Sequence, residues 1–150
     1  MTVKQFWEEF LCETGRDPKT GYLESFHFCL DEKSANELME LVLSGKKRAT
    51  ASSLLSYEKE GSRPPQAGDF SIVTDWDGVP RCVIETTAVN VYKFEDITFG
   101  ICQREGEDEC LETWREGHRR YFKEDGKNLG YEFSEDMPVV FEDFEAVYSK

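Results

Sequence analysis

Apolar residues open the chain at helical spacing. Val3, Phe6, Trp7, Phe10 and Leu11 share one face of a 3.6-residue repeat, and Thr2 with Gln5 forms the pattern of a capping box. A first helix is predicted from residue 3 to about 13. A second is predicted from Ser34-Ala35-Asn36-Glu37, read as a capping box, through Leu38, Met39, Leu41, Val42 and Leu43 to Gly45, which sits where a helix C-terminus favours glycine. Between them, residues 15 to 31 are turn-rich with an aromatic knot at Phe26 and Phe28, which predicts an irregular arm over the core.

The period then changes. After "SLLSYEKEG", a candidate short helix, the prolines of "SRPPQAGD" enforce a loop, and Phe70, Ile72, Thr74 and Trp76 alternate as in a strand. Asp77-Gly78 marks a reversal into a long second arm over 81 to 92. Val83, Glu85, Thr87, Val89 and Val91 fall on one face of that arm, and Cys82, Ile84, Thr86, Ala88 and Tyr92 on the other. Two mostly apolar faces predict a strand covered on both sides or curled into a barrel, with Glu85 as an acid among valines. A helix is predicted from about Glu109 to Lys123, then a loop at "EDGKNLGYEFSEDMP" and a closing strand at "VVFEDFEAVY". With no repeats or long linkers, the expectation is a single domain over residues 1–150, its helices packed around a small curved sheet.

Composition narrows the function classes. The 150 residues carry 31 acidic and 18 basic side chains, a formal charge of −13, which repels long polyanions and leaves room for at most one local basic cleft. A duplex DNA partner is not expected. The five cysteines, Cys12, Cys29, Cys82, Cys102 and Cys110, form no C-x-x-C pair, and the acidic N-terminus lacks the apolar run of a signal peptide. A cytoplasmic protein without membrane contact is expected, and its oligomeric state is left open.

Candidate chemistry gathers at "SGKKRATAS", residues 44 to 52. Lys46, Lys47 and Arg48 after a helix complement the negative end of its dipole and need no other role. The acidic run "EGEDE" at 105 to 109 invites a divalent metal, yet it suits a helix N-terminus and contains no D-x-D-x-D-G loop, so no metal and no cofactor are expected. His118 lies on a stripe with Leu111, Trp114, Tyr121 and Phe122 that reads as packing, with a proton carrier as the alternative.

Gly45-x-Lys47-x-x-Thr50-x-Ser52 resembles the G-x-K-x-x-T-x-[SR] signature of the ASCH domain family, named for homology to the activating signal cointegrator. The likeness extends in order through "AGDFSIV", "VIETTAV", "EGEDECLETWREGHRRYF" and "MPVVFEDFEAVY", the layout of the bacterial stand-alone members. The resemblance implies an α+β, PUA-like fold: a small curved β-barrel with flanking helices and the signature lining a cleft at its mouth. It also implies a nucleoside or short single-stranded RNA as partner. One branch of the family is an amidohydrolase acting on N4-acetylcytidine, in shorter chains with little of the region 105 to 135. Its catalytic set corresponds to Lys47, Thr50 and Glu85, with Gly45, Lys46, Arg48 and Ser52 as ligand-binding neighbours.

Three mechanisms stay open. Neutral Lys47 serves as base with protonated Glu85 as acid, or Glu85 is the base while cationic Lys47 holds an oxyanion, or the cleft only binds RNA. A metal-dependent ribonuclease is a further alternative, and for Glu85 a structural ion pair with Lys47 is another.

Overall fold

Thr2 caps the first helix as the sequence predicts. In the computed structural model, which describes residues 1–150, the Thr2 side chain accepts from the Gln5 N–H and the Gln5 side chain accepts from the Thr2 N–H. Helix α1, Val3–Thr14, buries Phe6, Trp7, Phe10 and Leu11. Helix α2, Glu32–Leu43, begins earlier than expected, because Asp31 caps it by accepting from the Ser34 N–H at 2.9 Å. Asp31 rather than Ser34 is the cap, and Ser34 supplies the N–H donor of the first turn.

Five strands form one sheet in the order β1-β3-β4-β5-β2. They are β1 (Ser25–Phe26), β2 (Ala49–Ser53), β3 (Phe70–Thr74), β4 (Pro80–Lys93) and β5 (Pro138–Ser149). All pairs are antiparallel except β1 with β3. Register shifts between Val83 and Ile84 and between Thr86 and Ala88 bend the long β4–β5 ribbon, as bulges do. The sheet is curved as predicted but open, since its edges β1 and β2 do not pair with each other. Helix α3, Leu54–Glu60, follows β2 directly, capped by the Ser53 hydroxyl.

Helices cover both faces. Phe6, Phe10 and Trp7 of α1 pack on Phe70, Ile72 and Val83, while Met39 and Val42 of α2 pack on Val73, Cys82, Ile84 and Phe144. The third cluster joins Trp114 and Phe122 of α5 (Leu111–Leu129) to Phe94, Val139 and Phe141. Helix α5 runs six residues beyond the expected end at Lys123, through polar sequence read as loop. Within that extension Gly126 is required by packing: a Cβ there would lie 2.3 Å from the Tyr131 carbonyl oxygen, so only glycine lets the chain fold back against the last turn. No helix is long and apolar enough to cross a membrane.

Candidate functional site

The segment that joins α2 to β2 alternates outward and inward. Lys46 and Arg48 are exposed, whereas Lys47 and Ala49 are buried. Backbone bonds hold the segment from both sides, the Arg48 N–H donating to Arg104 O at 2.9 Å and the Phe144 N–H donating to Arg48 O at 3.0 Å. The loop after the short helix α4, Phe99–Cys102, closes over it. Gly106, at φ +71°, lies so near that a Cβ would stand 2.4 Å from the Lys46 carbonyl oxygen, which excludes any side chain.

Lys47 thereby points into the protein with 2% exposure, and its ammonium meets three acceptors. Nζ donates to Ala49 O at 2.8 Å, Glu107 Oε2 at 2.6 Å and Glu105 Oε1 at 3.4 Å. Burial lowers its pKa, but the two carboxylates raise it further, so the net shift is upward and Lys47 is a fixed cation. With all three N–H groups engaged it has no lone pair to offer as a base.

Glu105 is shared. Its other oxygen accepts from the Trp114 indole N–H and faces His118 Nε2 at 3.3 Å. His118 Nδ1 lies 2.9 Å from the Trp114 carbonyl, an acceptor only, so both ring nitrogens face acceptors, an arrangement that favours the protonated ring. Burial pushes the His118 pKa down, yet the Glu105 carboxylate outweighs it and the net shift is upward. Burial likewise raises Glu105, but His118 and Lys47 together bring it down to about 2. Glu107 is pushed up by burial and by Glu105 against the pull of Lys47. Lys47 and His118 thus face Glu105 and Glu107 in a closed network. Oxygens of Glu105 and Glu107 and a His118 nitrogen converge within 4.8 Å, a spacing that suits a metal, but the Lys47 ammonium already bonds both carboxylates.

This network forms one end of a cleft of about 570 Å³, lined also by Thr50, Ser52 and Tyr57. Eight acidic side chains line it against one lysine. On the strand wall Thr50 stands directly opposite Glu142 in the β2–β5 register. Glu142 is 8% exposed, accepts from Thr86 Oγ1 at 2.6 Å, and is raised by burial, despite that bond, to about 7.

The structure therefore brings Lys47, Thr50 and Ser52 to one cleft, but Gly45, Lys46, Arg48 and Glu85 are not part of it. Glu85 shares the β4 face of Val83, which packs against α1, while Thr86 on the opposite face reaches Glu142. The expected Lys47–Glu85 pair is replaced by Lys47 with Glu105 and Glu107, and the acid facing Thr50 comes from β5. "EGEDE" carried a signal after all, since an acidic run ahead of a helix bearing an inward histidine supplies Glu105, Glu107 and His118. Glu142 had the same signal as Glu85, an acid within an apolar strand.

A crystal structure of an ASCH domain from Lactobacillus crispatus is 37% identical, with a TM-score of 0.88 over 97% of this chain and 93% of that one. A crystal structure of a DUF984 protein from Enterococcus faecalis is 34% identical, with a TM-score of 0.89 over 97% of this chain and 87% of that one. No curated protein matches the sequence. The sequence model of the ASCH domain matches residues 24–148, so the chain belongs to the ASCH domain family, with the PUA-like arrangement of curved sheet and flanking helices.

Proposed function

We propose that the cleft binds a nucleoside, or one unpaired base of an RNA strand, by the edges of the base rather than by phosphate. The observation that carries this reading is the charge of a ligand-sized hollow: about 570 Å³ lined by eight acidic side chains against one lysine, whose N–H groups are all engaged, and His118, which already faces Glu105. A phosphate would meet repulsion there. An exocyclic amine, such as that of cytosine, finds carboxylate acceptors, and Thr50 and Ser52 supply hydroxyls for base or sugar. Isothermal titration tests it: nucleosides should bind more tightly than their 5′-monophosphates, with little salt dependence. Tighter binding of the monophosphates, or steeply salt-sensitive RNA affinity, would refute it.

A second reading adds chemistry at the same place. Thr50 faces a carboxyl whose pKa of about 7 suits proton transfer at neutral pH. Glu142 in this reading takes the proton as the Thr50 hydroxyl attacks the acyl carbon of an N-acylated base, and returns it to the leaving amine; a water deprotonated in turn by Glu142 then cleaves the acyl-Thr50 ester, releasing the carboxylic acid and restoring the Thr50 hydroxyl. Lys47 acts through its carboxylates as a positioning residue. Purified protein should then release cytidine from N4-acetylcytidine, with kcat lost in Thr50→Ala and Glu142→Gln and retained in Glu85→Gln. Turnover that survives both substitutions would leave binding alone.

A further inference from the structure

Among the eight carboxylates of the cleft, two sets differ in their chemistry. Glu105 and Glu107 are matched by Lys47 and His118. Glu24, Glu60 and Glu142 have no such match: none of them makes an ion pair, and all three border the cleft around Tyr57. Glu24 and Glu60 are exposed at the rim, and Glu142 lies deep. One Glu142 oxygen accepts from Thr86, while the other has no partner in the protein and stays open to the cleft although most of the residue is buried. A carboxylate so placed, with a free oxygen opening on the cleft, is half of an interaction.

Cations of different size can be told apart by spacing. The one group whose ligand atoms converge within 4.8 Å is Glu105, Glu107 and His118, and Glu24, Glu60 and Glu142 do not converge in that way. The second set is therefore spread too widely to coordinate a single metal ion, and it surrounds a space that fits an organic group. Aromatic side chains, Phe26, Phe28, Tyr57 and Tyr121, line the same cleft. The face of Phe28 is already taken by the Lys47 ammonium, 5.2 Å from its centre, so the carboxylates carry the charge preference. Aromatic faces together with unpaired carboxylates favour a charged ring over a neutral one.

We infer that the cleft selects a nucleoside whose base carries a positive charge, held by Glu142 in the floor and by Glu24 and Glu60 at the rim. The inference rests on the nucleoside reading above and narrows it to a charge class.

Three probes separate charge from shape: cytidine, neutral 5-methylcytidine, and 3-methylcytidine, which is cationic at neutral pH and adds the same single methyl group. Titration calorimetry at pH 7.5 and low salt should give a Kd for 3-methylcytidine roughly tenfold or more below the other two, as a charge-assisted hydrogen bond supplies. Glu142→Gln should abolish the preference. Glu60→Gln, on an exposed side chain where folding is not at stake, should reduce it roughly threefold. Equal affinity for the three probes overturns the charge selection and leaves the nucleoside reading standing, whereas no binding of any of them overturns both. A preference that persists in both variants overturns the assignment of these carboxylates.

Discussion

Replacing Lys47 with methionine keeps the length of the side chain and most of its packing while deleting the ammonium. Glu105 and Glu107 then lose the 3.4 and 2.6 Å partner that balances them, and the Ala49 carbonyl loses its 2.8 Å donor. His118 and Trp114 still serve Glu105, so the uncompensated charge falls mainly on Glu107. Removing one member of a buried ion pair typically costs about 3–5 kcal/mol. At roughly 2–4 °C per kcal/mol for a chain of this size, the melting temperature should fall by about 6–20 °C. Circular dichroism melts measure it. The double variant Lys47→Met with Glu107→Gln should recover part of the loss, because a neutral amide no longer needs the cation. A melting temperature unchanged within about 2 °C, or a double variant no better than the single, would refute the view that the ammonium neutralises these acids.

Three further outcomes follow from the same geometry. The folded Glu142 pKa near 7 lies above its ordinary 4.5, so the unfolded chain releases this proton first. Stability should therefore fall by about 3 kcal/mol as pH rises from 4.5 through 7, and urea titrations of Glu142→Gln should lack that component. His118 has the opposite sign: its raised folded pKa gives stability that is complete below the unfolded value of 6.5 and is lost as pH rises through the folded one. Nitrogen NMR should find both ring nitrogens protonated at pH 7, and His118→Gln should cost about 1–3 kcal/mol. Gly106→Ala, at positive φ and 2.4 Å from the Lys46 carbonyl, should destabilise by about 1–3 kcal/mol and speed hydrogen exchange across residues 103–110.

Local signals in the sequence were sound where they were self-contained. The Thr2–Gln5 capping box and the apolar stripe of α1 act within a few residues, and α1 forms as expected. Strand β2 escaped notice because "ATASS" alternates buried Ala49, Ala51 and Ser53 with Thr50 and Ser52, all too small to show a hydrophobic period. The end of α5 escaped because Gly126 is read as a breaker unless the returning Tyr131 carbonyl is known. In the cleft, Lys47, Thr50 and Ser52 were legible from their motif, but the partners of Lys47 are 58 and 60 residues away. Glu85 and Glu142 are both acids in apolar strands, and sequence alternation alone does not say which strand face meets β2. The register of β5 against β2 decides for Glu142.

The alternation at residues 46 to 49 gives the stretch a meaning that its basicity hides. Shifting it by one position would exchange the inward and outward sets, driving another cation among the acids and stranding Lys47 in water. The clamp from Arg104 and Phe144 onto Arg48 fixes that phase. What "SGKKRATAS" encodes is thus a count of residues between helix and strand: inserting or deleting one there is more damaging than exchanging either outward cation for a neutral residue.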